Sequence, residues 1–202
     1  MTNEPHDRPA WLLISASTAG GAGTLRVHVW RKLRSLGAVY LQQSVCLLPA
    51  RPEVVKEIRR LTDRIRHQGG TARMLSMAFT DPAAEQAIIA EFNSARDTEY
   101  AEVLERLPEL RRELADEQAR GNATYAEVEE SEADLERFRA WVTKIAARDY
   151  FDAPGGHTAR DAIEDAAAEL AAFEEAALHA EAPERGQGPT GEVLRLRVVD
   201  QP

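Results

Sequence analysis

The apolar side chains of this chain settle into a helical spacing at Asp81-Pro82, and that change divides everything that follows. Before it, short apolar runs alternate with stretches of helical period. After it, the helical period continues to about residue 178. Buried strands read as short continuous apolar runs, and helices as apolar positions three and four apart. A chain patterned this way is α+β, with strands confined to its N-terminal part.

Ala10-Trp11-Leu12-Leu13-Ile14 is continuous and apolar, as a central strand covered on both faces should be, and the turn-rich residues 15–23 stop it. From Thr24, a candidate N-cap, apolar side chains recur at Leu25, Val29, Leu33 and Leu36 until Gly37, which marks a helix. Residues 39–42 and 44–48 read as two strands with a tight hairpin or bulge around Gln43, ended by Pro49. Beyond Pro52, Val54, Ile58, Leu61 and Ile65 define a second amphipathic helix, which Gly69-Gly70 terminates. Residues 72–79 supply the last strand. The expected order is βαββαβ, a ferredoxin-like domain over residues 10–80 in which two helices cover one face of a four-stranded antiparallel sheet.

Residues 81–179 are expected to form an acidic helical hairpin or bundle. One or two helices reach Gly121-Asn122, with Pro108 as a kink or boundary. Tyr125, Val128, Leu135, Phe138, Val142 and Ile145 form a helix-pairing seam, interrupted near Glu132. After the loop at residues 152–156, an Ala-rich helix from about Thr158 carries Ile163, Ala167, Leu170 and Phe173 on one stripe. Residues 1–9 read as a frayed terminus and 180–202 as a mobile tail, in which residues 193–199 could pair with a sheet edge or a partner.

The net charge of −9 conceals a segregation. Residues 1–80 hold 12 Lys and Arg against 5 Asp and Glu, a balance of +7, whereas residues 81–202 hold 13 against 29, a balance of −16. Basic surface can meet an anionic partner, and acidic helices can solvate themselves or cover that surface. On the first helix Arg26, Arg31, Lys32 and Arg34, and on the second Lys56, Arg59, Arg60 and Arg64, are candidate contacts to a nucleic-acid backbone. The alternative is that these are solvated helix faces, or partners of the acidic bundle. Gly21, Gly23 and Thr24 with Arg26 form a second candidate, a backbone cradle for a tetrahedral oxyanion such as sulfate or phosphate, against the alternative of a flexible turn. The lysine and serine or threonine of a phosphate loop are missing. Trp30 and Tyr40 are expected in the core or at a dimer contact.

Nothing in the pattern asks for catalysis, a cofactor or a metal. His28, His67, His157 and His179 form no i,i+4 pair, and the single cysteine, Cys46, sits in an apolar run as a small buried side chain. The acidic run Glu127, Glu129, Glu130, Glu132 and Asp134 reads as a solvated face. No nucleophile stands in a recognisable elbow. The longest apolar run is far short of a membrane span and no basic region precedes it, so a cytoplasmic, non-membrane protein is expected.

Trp11-Leu12-Leu13, then residues 25–33 (Leu-Arg-Val-His-Val-Trp-Arg-Lys-Leu), Leu36-Gly37-Ala38-Val39 and Ser44-Val45-Cys46-Leu47-Leu48-Pro49 follow in an order and spacing that resembles the N-terminal region of the ChrB family. Tyr150-Phe151-Asp152-Ala153-Pro154 and the Ala-rich helix after it fit the same family, so the resemblance covers residues 10–178. It implies association with chromate-resistance operons and a chromate-responsive, DNA-binding transcriptional regulator. Longer members carry a further C-terminal domain, which this chain is expected to lack. The first domain is also similar to the central domain of PaaX-type repressors and to the CRISPR spacer-acquisition nuclease fold, which implies a homodimer. The nuclease would need an acidic metal ligand at the end of its first strand, where this chain has Ile14-Ser15-Ala16-Ser17. The expected function is therefore a non-enzymatic regulator binding DNA and an oxyanion. The alternative is a protein-interaction module with a helical dimerisation region.

Overall fold

The computed structural model describes residues 11–20, 23–121 and 124–181; the expectations for residues 1–9, for Gly21, for Asn122 and for residues 182–202 lie outside the described residues. The chain is α+β. β1 (Trp11–Ser17), α1 (Gly23–Ser35), β2 (Val39–Gln42), β3 (Val45–Pro49), α2 (Pro52–His67) and β4 (Thr71–Met77) form a four-stranded antiparallel sheet in the order β2-β3-β1-β4. α3 (Pro82–Ala119), α4 (Tyr125–Ala146) and α5 (Pro154–Glu181) pack together as a three-helix bundle.

β1 is continuous and apolar because it is central, pairing with β3 through Leu12↔Leu48 and Ile14↔Cys46 and with β4 through Ile14↔Met74. Leu25, Val29 and Leu33 of α1 and Val54, Ile58, Leu61 and Ile65 of α2 are buried in the same core cluster as Leu12, Ile14, Cys46 and Leu48. The two helices run antiparallel over that face. The hairpin turns at Gln43-Ser44, and the ladder slips between Tyr40 and Gln42.

Three boundaries differ from the sequence reading. β4 ends at Met77 instead of 79, because Phe79 leaves the ladder and sets its ring edge-on to Trp11 at 5.5 Å. α3 passes unbroken through Pro108: the proline removes one helical hydrogen bond, but Leu107 and Leu110 on either side are buried in the bundle and hold the helix in register. α5 begins at Pro154 instead of 158. There Asp149 accepts from the Ala153 N–H and Asp97 accepts from the Gly155 N–H at 2.8 Å, so two carboxylates satisfy the start of the helix.

α3 belongs to both cores. Its first turns bury Ile88 and Phe92 against the sheet, and its later ones bury Tyr100, Val103, Leu107, Leu110 and Leu114 in the bundle. Trp11 is the meeting point, with Phe151 stacked on it at 5.5 Å and Phe92 at 5.8 Å. Its indole N–H donates to the buried carboxylate of Glu85 at 2.7 Å, so neither polar group is left unpaired. The Tyr150 hydroxyl donates to the Leu36 carbonyl at 2.8 Å, and Arg51 lies over the Tyr150 ring. Glu99 receives Arg96 at 3.1 Å and Arg148 at 2.8 Å. Tyr150 and Phe151 thus fasten the bundle to the end of the sheet where β1 begins. No helix among the described residues is long and apolar enough to cross a membrane.

Candidate functional site

Burying the apolar stripes of α1 and α2 leaves their charged positions no direction but outward. Arg26, Arg31, Lys56, Arg59 and Arg64 are exposed, and none makes an ion pair with another described residue. Lys32 and Arg60 are engaged. Both meet Glu57, at 2.5 and 2.8 Å, which ties α1 to α2. The hydrogen bond and charge of Lys32, with a smaller contribution from Arg60, hold the Glu57 carboxyl below the usual carboxylate range. Arg34 lies over the Trp30 ring, 5.2 Å from its centre. Arg66 is held by Asp63 and by the Ala72 carbonyl.

None of the ion pairs between described residues joins a side chain of α1 or α2 to a carboxylate of α3, α4 or α5. Glu129, Glu130 and Glu132 are solvent-exposed, and Asp134 pairs with Arg137 of its own helix. No group of three His, Cys, Asp or Glu side chains among the described residues is placed to hold a metal ion.

The described residues of the candidate anion cradle line two different concavities. Gly21 lies outside the described residues, and Gly23 and Thr24 are already the first helical residues of α1, so Thr24 is not the N-cap. Gly23 and Thr24 line a shallow concavity with Arg31, whereas Arg26 lines a different cleft, on the side of the β2–β3 hairpin. Helical geometry is the reason: Arg26, Trp30 and Arg34 recur every four residues and share one stripe, while Thr24, Val27 and Arg31 share the next.

That second cleft, of about 470 Å³, contains what the sequence reading missed. Trp30 and Tyr40, expected in the core or at a dimer contact, line it and are not core residues, with 47% and 40% of their surface exposed. Trp30 stands on the outward stripe of α1, and Tyr40 on the edge strand β2, where only one side is paired. The spacing of Arg26, Trp30 and Arg34 was readable in the sequence; that Tyr40 lines the same cleft as Arg26 and Trp30 needed the hairpin. Burial, with the Cys46 thiol a lesser influence, pushes the Tyr40 phenol up, and burial pushes the Cys46 thiol up to about 12. The phenol is therefore a neutral donor and the thiol an inert one.

With this geometry in view, the family described as "Protein ChrB, N-terminal" matches residues 26–184. Protein ChrB of Cupriavidus metallidurans (strain ATCC 43123 / DSM 2839 / NBRC 102507 / CH34) is 35% identical over 107 residues, 53% of this chain and 32% of that protein. The aligned part spans about a third of the length of that curated relative. The matched region begins at Arg26, inside α1, and includes the rest of that helix, all of α2, the cleft aromatics Trp30 and Tyr40, and the Tyr150-Phe151 junction.

Proposed function

Because the chain belongs to the ChrB family, which the sequence resemblance ties to chromate resistance, we propose that it is a non-enzymatic regulatory protein whose α1–α2 face binds DNA and whose binding responds to chromate or a similar oxyanion. The observation carrying this reading is the set of five exposed cations, Arg26, Arg31, Lys56, Arg59 and Arg64, that no carboxylate among the described residues neutralises. Cations left in this state on two adjacent helices suit a polyanion whose release of counterions drives association. The helical bundle would serve dimerisation in a cytoplasmic regulator. The competing reading, in which the arginines clamp the acidic bundle, has no ion pair between described residues in its favour.

The test is a mobility-shift titration with DNA from the operon that encodes the protein, at several salt concentrations, with and without chromate. Contacts to about 4 phosphates give a log K against log salt slope near −3.6. Absence of salt-sensitive binding under both conditions discards the DNA reading.

A further inference from the structure

We propose that the cleft between α1 and the β2–β3 hairpin binds a small planar aromatic anion, its ring against Trp30 and Tyr40 and its carboxylate or phosphate on Arg26. The cleft lies at the end of the sheet where β1 finishes, remote from the Trp11 junction that holds the bundle. Its floor is apolar, made by Ile14, Val29, Leu33 and Cys46, and its rim carries the hydroxyls of Ser17, Thr18 and Ser44 and the amide of Gln43. A volume of about 470 Å³ falls in the range of small-molecule sites, which combine such a floor with a few placed polar groups.

Three features select the ligand. Two aromatic side chains line one concavity while 47% and 40% exposed, so each has surface that a flat ring could cover. Arg34 sits over the Trp30 ring at 5.2 Å, an arrangement that adds positive charge beside the ring. Among the described residues, Arg26 brings a guanidinium with no ion-pair partner and no Asp or Glu lines the cleft. A bare tetrahedral oxyanion would engage Arg26 but leave both rings wet. Duplex DNA offers phosphates here but keeps its bases stacked away from the aromatics. A ring carrying an anion satisfies all of the lining at once.

This inference rests on the anion-binding part of the proposed function, narrowing the anion to one carried on a ring, and shares Arg26 with the proposed DNA face, so it is tested without DNA. Isothermal titration of the full chain with phenyl phosphate, benzoate and adenosine monophosphate separates simple aromatic acids from nucleotides as the source of the shared chemistry. Inorganic phosphate and benzyl alcohol supply the two halves alone. The expected result is saturable binding of at least one ring-bearing anion, weaker by about tenfold or more for each half, with a similar loss in Arg26→Gln and in Trp30→Ala. Both positions are exposed, and circular dichroism of each variant is the check that it folds. No saturation up to about 10 mM of any ring-bearing anion overturns the proposal. So does equal affinity for inorganic phosphate, which would mean simple ion binding, or binding that both variants retain, which would place the ligand elsewhere. A failed mobility shift with intact ligand binding would count against the DNA reading alone.

Discussion

Glu57 receives Lys32 and Arg60 at once, and so decides how much of the α1–α2 face is open to an anionic partner. Glu57→Gln should release both cations, tighten DNA binding and steepen the salt dependence, by about 0.9 in log–log slope for each further phosphate engaged. A mobility-shift series measures this, and an unchanged slope would mean that neither cation faces the DNA. Cys46 makes a second residue-scale prediction. With its thiol pushed up to about 12 by burial, almost no thiolate exists at pH 8, and thiolate is the reactive form. Iodoacetamide followed by mass spectrometry should label it in denaturant and not in the native protein; native labelling at the rate of a free thiol would contradict its burial.

Elements are coupled through α3. Phe92 is buried against the sheet core while Tyr100, two turns later, is buried in the bundle, so the helix cannot release one core without disturbing the other. Phe92→Ala should cost about 3–5 kcal/mol, and far-UV and near-UV signals should melt together. Two separated transitions would show the units to be independent. Arg111 and Glu169 bridge α3 and α5, and the hydrogen bond from Arg111 holds the Glu169 carboxyl below its usual value. A depressed carboxylate stabilises the fold fully above its unfolded value and loses that contribution as pH falls through the folded one. The urea midpoint should therefore fall as the pH drops through and below the ordinary carboxylate range, and less so in Glu169→Gln. The effect is modest because both side chains are partly exposed and screened.

At the scale of the whole molecule the +7 and −16 halves are joined by apolar and hydrogen-bonded contacts at Trp11, Phe92, Tyr150 and Phe151, with no ion pair between the basic face and the bundle among the described residues. Reversing Arg59, Arg60 and Arg64 to Glu should thus leave thermal stability within the small range of surface substitutions, about 0.5 kcal/mol each, while abolishing DNA binding. A large fall in melting temperature would reinstate the clamp reading. Gly37 sits at the same junction with φ +70, its Cα facing Arg96 and Arg148. Gly37→Ala should cost at least about 1–2 kcal/mol by calorimetry, since alanine is strained there and its methyl displaces Arg96.

The sequence by itself determined the element types, the βαββαβ order and the outward direction of the basic side chains, because apolar period and glycine and proline punctuation are local properties. The buried stripe of Val54, Ile58, Leu61 and Ile65 was legible from spacing alone. Only the tertiary structure decided that α3 runs through Pro108, that Phe79 and Phe151 converge on Trp11, that Glu57 quenches two of the eight candidate cations, and that Arg26 parts from Gly23 and Thr24 to join Trp30 and Tyr40. Those outcomes depend on which residues distant in the chain meet, and no local period encodes the meeting of an edge strand with the stripe of a helix.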